Sequence, residues 1–257
     1  MNTSIAVVNC SGNVGKTMIT RELLAPRLPA VPVRQIESIN ADEAAWAAGA
    51  IGTHARGETV EVMIAAQFDA LHETLMLGQP LIVDIGASNV EEYLRRLDEA
   101  SGSHEDYGFF VVPVVPARKQ LQDTIKTIDL LSGLGVAPER IRVVFNQVDV
   151  ERNETAEASI ARSFTVLLDL HRDDESFTLN LAAAIPKSDA FPVAAEIGTT
   201  LFAISRDKTD YKAGLADLTD RAEQVHRTRL IGLKRKAVSL EPKLNAAFDA
   251  LMQGQVA

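Results

Sequence analysis

The sequence near the start of the chain reads Val8-Asn9-Cys10-Ser11-Gly12-Asn13-Val14-Gly15-Lys16-Thr17. A short apolar run, residues 5–9, includes the start of this stretch, and a helix-like segment, residues 16–24, follows the glycines. Glycines between a buried strand and a helix allow backbone N–H groups to approach phosphate oxygens, and the helix N-terminus adds positive potential. The stretch therefore predicts a loop that binds the phosphates of a nucleoside triphosphate. A glycine-rich turn that only caps the helix is the alternative.

The predicted nucleotide-binding residues cover this loop and the first helical turn. They are Ser11, Gly12, Asn13, Val14, Gly15, Lys16, Thr17 and Met18. We expect Lys16 to reach the β- and γ-phosphates and the Thr17 hydroxyl to ligate Mg²⁺. The general pattern of such loops begins with glycine, where this chain has Cys10.

A carboxylate that can serve the same Mg²⁺ follows later in the chain. Asp84 ends the apolar run Leu81-Ile82-Val83-Asp84-Ile85, which is expected to form a strand buried on both faces. Ligands of open α/β sheets bind at the carboxyl ends of the strands, so Thr17 and Asp84 are the predicted metal ligands. A turn or helix-capping aspartate is the alternative.

The run Asn146-Gln147-Val148-Asp149 follows another predicted strand. It is similar to the base-reading motif N-K-x-D of GTPases, with Gln147 in place of the lysine. The Asn146 amide can hydrogen-bond a purine, whereas Asp149 would accept from guanine and finds no such donors on adenine. We predict that Asn146 contacts the base and that ATP is preferred over GTP.

Strand-like and helix-like segments alternate along the chain, which predicts an α/β fold with a doubly wound, mostly parallel sheet and C-terminal helices. The predicted strands are residues 5–9, 31–37, 81–85, 109–115, 141–146 and 179–185. The predicted helices are residues 16–24, 59–77, 88–100 with Ser88 as its cap, 119–131 and 154–168. We expect one domain over residues 1–205 and a helical segment over residues 206–257.

The helical segment carries an apolar stripe and a cluster of cations. The stripe predicts packing on the sheet domain or on a partner, with membrane association as the alternative, and Pro242 predicts two helices or a sharp kink. The cations are Arg227, Arg229, Lys234, Arg235 and Lys236. They form either a solvated helix face or an edge that binds DNA nonspecifically or a protein partner.

Net charge, the lengths of the apolar runs and the cysteine count exclude some classes of protein. The formal net charge is −9 over 257 residues, which argues against a surface covered in nucleic acid. The apolar runs are too short to cross a bilayer, and no signal segment opens the chain, so no transmembrane segment is expected. Cys10 is the only cysteine, which favours a reducing compartment, the cytoplasm.

The chain resembles the ParA/MinD family of deviant-Walker ATPases, and within it the plasmid-stability proteins called StbB. The resemblance covers about residues 1–205 and rests on residues 11–17, 36–43, 84–88, 112–114, 144–146 and 185–188. It implies an ATPase that uses ATP and Mg²⁺, dimerises around the nucleotide and acts in plasmid partition, stability and conjugative transfer. It also implies a plasmid-borne DNA-binding or transfer protein as partner.

Two departures from the family pattern bear on catalysis. Ser11 stands where the family has a signature lysine that crosses the dimer, and the acidic D-x-D-P motif is replaced by Glu37-Ser38-Ile39-Asn40. The predicted catalytic residues are Lys16, with Glu37 or Asp42 to orient water. Two other functions stay open: an ATP-dependent metabolite enzyme similar to dethiobiotin synthetase, and a nucleotide-binding scaffold with negligible turnover.

Overall fold

The computed structural model describes residues 4–36, 60–63 and 68–253. Seven strands in these ranges form one sheet in the order β3-β2-β4-β1-β5-β6-β7, and every neighbouring pair is parallel. The strands are β1 Ile5–Val7, β2 Val33–Ile36, β3 Val60–Met63, β4 Ile82–Ile85, β5 Phe109–Val114, β6 Ile141–Val148 and β7 Ala184–Pro186. The predicted α/β class with a mostly parallel, doubly wound sheet is confirmed.

Helices cover both faces of this sheet. They are α1 Lys16–Ile19, α2 Phe68–Met76, α3 Val90–Glu99, α4 Arg118–Gly133, α5 Ala156–Ser163, α6 Thr165–Asp174, α7 Ala190–Ile197, α8 Leu201–Arg206 and α9 Arg221–Gln253. The chain continues from α1 as a π-helical turn, Thr20–Leu24, and a 3-10 turn, Ala25–Arg27. Within the helical segment predicted over residues 206–257, the structure has the long helix α9.

Two apolar cores lie on opposite faces because successive strand residues point to opposite sides. In β1, Ile5 and Val7 face one core, while Ala6 and the following Val8 face the other. Helices α2 to α6 cover the core that contains Ala6, and α1, α7, α8 and α9 cover the core that contains Ile5. All four of these residues are fully buried, so the strand that leads into the glycine-rich loop is held rigidly from both sides.

The long C-terminal helix belongs to the second of these cores. Its buried side chains recur every three or four positions and include Leu233, Ala237, Leu244 and Leu251. They share an apolar cluster with β1 and α1, so α9 forms part of the layer that covers the sheet. The boundary at residue 205 stays a prediction.

Pro242 lies inside α9 and does not divide it, so the alternative of two helices is wrong, and the alternative of a sharp kink stays a prediction. Proline removes one helical hydrogen bond and crowds the carbonyl four residues earlier, which here belongs to Val238. Both residues are exposed, so water can solvate the carbonyl that loses its partner. A proline on the solvent-exposed side of a packed helix therefore destabilises that helix less than a proline on its buried side.

Three other predicted elements differ from the structure. Of the described residues in the helix expected over 59–77, residues 60–63 form β3, because this Val-Glu-Val-Met run alternates like a strand and pairs with β2, and residues 68–76 form the helix α2. The helix expected over residues 154–168 is broken at Phe164, whose ring is fully buried against Phe145. Of the strand expected over residues 179–185, only residues 184 and 185 lie in β7, which ends at Pro186.

The predicted cap of the helix after β4 also moves by one residue. Asn89 precedes the first turn of α3, and Ser88 lies in a short 3-10 turn, Ala87–Asn89. Asn89 is buried, and its side chain lies against the end of β2, where Nδ2 is 3.5 Å from the Ile36 carbonyl oxygen. Of the helices in the ranges that the structure describes, none combines the length and apolar character needed to cross a bilayer.

Candidate phosphate-binding site

The glycine-rich loop leaves the sheet from its central strand. β1 lies between β4 and β5, and its last residue, Val7, is level with Asp84 on one side and Val111 on the other. On one side of β1 lie β4, β2 and β3, and on the other side lie β5, β6 and β7. Successive strands are therefore added in opposite directions from β1, where the strand order reverses. This reversal opens a crevice at the carboxyl edge of the sheet, where α/β folds bind ligands.

The start of the loop is anchored by polar side chains of the neighbouring strand and helix. Asn9 is fully buried; its Nδ2 donates to the Pro113 carbonyl and to Thr124 Oγ1, both at 2.8 Å. Its Oδ1 accepts the Ser11 backbone N–H at 2.7 Å. Thr127 Oγ1 accepts the Cys10 N–H at 3.0 Å. These bonds attach the loop to β5 and α4, so its backbone is positioned before any ligand arrives.

Lys16 places its ammonium group inside the loop. The residue is only 8% exposed, and Nζ donates to the carbonyl oxygens of Asn9, at 3.0 Å, and Ser11, at 2.8 Å. These bonds keep a cation at the N-terminus of a helix whose first N–H groups lack intrahelical acceptors. Positive charge and backbone donors therefore converge at one point, which is the arrangement that binds phosphate.

One side of the loop is closed by β6. Gly15 has φ +89°, a left-handed conformation, and a Cβ built there would lie 2.3 Å from Asn146 Nδ2. Asn146 is 2% exposed; Nδ2 donates to the Val14 carbonyl at 2.8 Å, and Oδ1 accepts the Gln147 N–H. Gly15 is thus required both by its backbone conformation and by the close approach of Asn146.

The other side of the loop is open. A Cβ built on Gly12 would meet no atom within 4 Å, and Asn13, with φ +60°, is exposed. Thr17 is exposed at the first turn of α1, whereas Val14 is fully buried beneath the loop. Ser11 is buried and Met18 half-buried. An anion can therefore approach over Gly12 and Asn13 and reach the ammonium of Lys16.

The two predicted metal ligands are oxygen donors at the same edge of the sheet. Asp84 is 2% exposed in β4, and side-chain alternation puts it on the face that α1 covers, with Ile82. Thr17 lies at the start of α1. A hydroxyl and a carboxylate suit Mg²⁺, which takes few protein ligands and completes its shell with phosphate and water. Within the described ranges, no group of three His, Cys, Asp or Glu side chains could hold a metal alone.

Two predicted catalytic residues, Glu37 and Asp42, lie outside the described residues.

Gln147, with φ +55°, lies where the pairing of β6 with β7 changes register, so the segment is a bulge at the strand end. Asp149 is exposed, and its carboxylate pairs with Lys187 at 3.3 Å.

A buried carboxylate links the helix after the loop to the C-terminal helices. Glu22, in the π-helical turn, is 3% exposed and accepts the Leu201 backbone N–H at the start of α8 at 2.8 Å. Burial raises the pKa of its carboxyl from 4.5 to about 7, against the opposing effects of the Leu201 N–H, Arg21 and Arg27. Arg27 also pairs with Glu241 of α9 at 3.4 Å, with both side chains largely buried.

Sequence reasoning missed Asn9, Thr124, Thr127 and Glu22 as members of this region. A usable signal existed for the threonines: they interrupt the apolar face of α4 formed by Leu121, Ile128 and Leu131. Polar residues in an otherwise buried stripe need a partner, which here includes the loop. Glu22 gives no comparable signal, because Leu201 lies 179 residues away.

The five cations of the predicted basic run, residues 227–236, are divided into two groups. Three of them pair with carboxylates: Arg227 with Glu223 at 3.0 Å, Arg229 with Glu196 at 2.7 Å, and Lys236 with Asp189 at 2.6 Å. In the remaining pair, Lys234 donates to the Thr209 carbonyl at 3.0 Å, and Arg235 is exposed. The basic run is therefore largely neutralised except around Lys234 and Arg235.

No protein-family model and no curated protein sequence matches the chain. Among solved structures, it is similar to the MinD cell division protein of Aquifex aeolicus, with 14% identity, a TM-score of 0.49, and coverage of 92% of this chain and 97% of that one. It is also similar to apo McdA of Cyanthece, with 12% identity, a TM-score of 0.49, and coverage of 92% and 99%. A third is the cell division ATPase MinD of Pyrococcus furiosus, with 16% identity, a TM-score of 0.46, and coverage of 92% and 99%.

Proposed function

We propose that the chain binds ATP with Mg²⁺ at the glycine-rich loop and hydrolyses it slowly. The observation that carries the proposal is the buried ammonium of Lys16 held inside a loop whose open side faces solvent. A buried cation that is fixed by main-chain carbonyls stabilises an anion more than a solvated one does, because little reorganisation is needed when the anion binds.

The remaining residues take supporting roles in this proposal. Backbone N–H groups at the start of α1 bind phosphate oxygens, and Thr17 and Asp84 hold the metal ion. When bound, Mg²⁺ withdraws charge from the phosphoryl oxygens. Lys16 stabilises charge on the transferring phosphoryl group, and Glu37 or Asp42 orients the attacking water. Ser11, at the position of the family's signature lysine, supplies no cation, which supports slow turnover.

The biological setting of the proposal comes from the sequence resemblance. We assign the chain to the ParA/MinD type of P-loop ATPase, acting in the cytoplasm in plasmid stability, partition and conjugative transfer. Nucleotide-dependent dimerisation would select a plasmid-borne DNA-binding or transfer protein as partner. Adenine is preferred because Gln147 replaces the lysine of the guanine-reading motif and the resemblance to the ParA/MinD family implies ATP. A competition assay in which GTP displaces a bound ATP analogue better than ATP would reverse this preference.

The test of the site is calorimetric titration of the wild-type chain and the Lys16→Ala variant with a non-hydrolysable ATP analogue and Mg²⁺. We expect the variant to lose at least about a hundredfold in affinity, because two or more charge-assisted hydrogen bonds disappear from a buried site. Lys243→Ala, an exposed lysine of α9, is the matched control and should bind as wild type does. Equal affinities for Lys16→Ala and wild type would show that the loop is only a helix cap.

Phosphate-release assays separate the ATPase from the other two functions. Turnover that rises with plasmid DNA or a partner protein supports the proposed ATPase. Transfer of phosphate to small acceptors would favour the metabolite enzyme, and tight binding with no release under either condition would favour the scaffold.

A further inference from the structure

A second concave surface lies away from the glycine-rich loop, between the segment after α8 and the middle of α9. This α8–α9 cavity has a volume of about 520 Å³, within the range typical of ligand sites. Four cations line it, Lys208, Lys212, Lys234 and Arg235, and the side chains of Ile231 and Val238 form an apolar wall. Val238 is 54% exposed, so its side chain is available for contact with a ligand.

The charge of the cavity is opposite to that of the whole chain. Asp210 lines the cavity and the Asp207 carboxylate lies beside Tyr211, so four cations and two carboxylates leave a local formal charge of +2, whereas the chain carries −9. Lys208, Lys212 and Arg235 are exposed and form no ion pair with any residue that the structure describes. The cavity is therefore the place where the basic run of α9 keeps its positive potential.

The wall of the cavity is built in advance by local contacts. The Tyr211 hydroxyl donates to the Asp207 carboxylate, whose other oxygen accepts the Thr209 N–H at 2.8 Å. Lys234 donates to the Thr209 carbonyl at 3.0 Å and lies 5.6 Å from the centre of the Tyr211 ring. These contacts fix the segment against α9, so a ligand would meet a formed surface and would pay little ordering entropy.

Two other cations of α9 lie on a different face of the helix. Arg229 pairs with Glu196 and Lys236 with Asp189, and neither pair lines the cavity. A nucleic-acid duplex needs a continuous basic stripe for its evenly spaced phosphates, whereas the four cations of the cavity are gathered around one concave surface. A short ligand that inserts into this surface can reach these cations, and an apolar group on it can cover Ile231 and Val238.

We propose that the α8–α9 cavity binds an acidic peptide segment of a protein partner, with one apolar side chain against Ile231 and Val238 and flanking carboxylates beside the cations. Charge complementarity and the apolar wall together specify this ligand class. The proposal goes beyond nucleotide binding and does not depend on the loop at Lys16.

The test uses fluorescence anisotropy with a labelled peptide of sequence DDELEDD and the full-length chain. We expect the double variant Lys212→Gln/Arg235→Gln to bind this peptide about five- to tenfold more weakly, because each exposed charge pair contributes modestly. A peptide with glycine in place of the leucine should bind about tenfold more weakly to the wild-type chain, since the apolar contact is lost. The matched control is Arg229→Gln, outside the cavity, which should bind as wild type does.

Several outcomes would overturn the proposal. The wild-type chain could fail to bind the peptide at low ionic strength, or Arg229→Gln could weaken binding as much as the double variant, which would indicate general charge attraction. A DNA duplex that displaces the peptide, and whose salt-dependent affinity falls in the double variant, would assign the cavity to nucleic acid. ATP titration of the same samples keeps the two sites apart: peptide binding without ATP binding would remove the nucleotide proposal and leave this one.

Discussion

The chain holds lysine and arginine side chains in two contrasting ways. Lys16, in the glycine-rich loop, is 8% exposed, and main-chain carbonyls accept its hydrogen bonds. Arg229 and Lys236, on α9, keep side chains that are 41% and 50% exposed and pair with exposed carboxylates. Each of these side chains carries one positive charge, but only the ammonium group of Lys16 is removed from water. A buried cation contributes strongly to anion binding, whereas exposed ion pairs contribute little.

The two regions also differ in how they are connected to the rest of the fold. The loop is tied to β5, α4 and β6 through the buried side chains of Asn9 and Asn146. The cations of α9 reach their partners through flexible exposed side chains. Changes in the loop region should therefore alter both stability and ATP binding, and changes of the exposed, paired cations of α9 should alter neither by much.

Gly15→Ala should have the largest effect. Alanine at φ +89° is strained, and its Cβ would lie 2.3 Å from Asn146 Nδ2, so we expect a loss of about 3–5 kcal/mol of unfolding free energy. ATP affinity should fall by about a hundredfold or more, since the backbone donors move. Urea denaturation and calorimetric titration measure the two effects.

Gly12→Ala is the matched control for this change. Its Cβ meets no atom within 4 Å, so stability should change by less than about 0.5 kcal/mol. Adding Asn146→Ala to Gly15→Ala should remove the clash and leave the backbone strain, which recovers part of the lost stability. Equal costs for the two glycine variants would contradict the distinction between the closed and open sides of the loop.

Glu22→Gln should remove a pH dependence of stability. The pKa of Glu22 is raised by burial to about 7 in the folded chain, from 4.5, so the folded state holds a proton that the unfolded state releases over this window. Stability from this group is full below about pH 4.5 and is lost as the pH rises towards 7. The variant should therefore gain about 3 kcal/mol relative to wild type between low pH and about pH 8.

Denaturation curves over this pH range test the expectation. Glu157→Gln, an exposed carboxyl in α5 whose pKa is lowered by hydrogen bonds to its own backbone and to Thr155, is the control and should keep the wild-type slope above about pH 5. The same slope in Glu22→Gln as in wild type would mean that another group is responsible.

Asp84→Asn should have a smaller effect, confined to binding with Mg²⁺. Loss of the carboxylate charge weakens the hold on the metal, and we expect about a tenfold loss of ATP affinity with Mg²⁺ present. Titration in the presence of a chelator is the control, where the variant and wild type should differ much less. If the loss were equal with and without Mg²⁺, Asp84 would have no place in the metal shell.

Arg229→Gln should have the smallest effect. Its pair with Glu196 is exposed on both sides, so we expect a change in unfolding free energy below about 0.5 kcal/mol and no change in ATP affinity. Thermal denaturation at two salt concentrations measures this. A loss above about 2 kcal/mol would mean that the α9 pairs support the fold as the loop contacts do.

The sequence by itself determined the glycine-rich turn between a strand and a helix, most of the strands and the α/β class, because these depend on local glycine spacing and on the period of apolar residues. Local patterns predicted the wrong element for β3, whose residues fit both the period of a strand and that of a helix. They also missed the break between α5 and α6 at Phe164, whose ring is buried against Phe145. Pro242 does not divide α9 for a related reason: how much a proline destabilises a helix depends on whether its side of the helix is buried.

Only the tertiary structure decided which side chains support the loop and which cations keep their charge. Asn146 reaches Val14 across 132 residues, and Arg229 meets Glu196 across 33, so no local pattern contains either contact. The basic run of α9 looks uniform in sequence, yet its neutralisation depends on carboxylates that the fold brings beside it. Charge composition is local, whereas electrostatic potential is a property of the assembled surface.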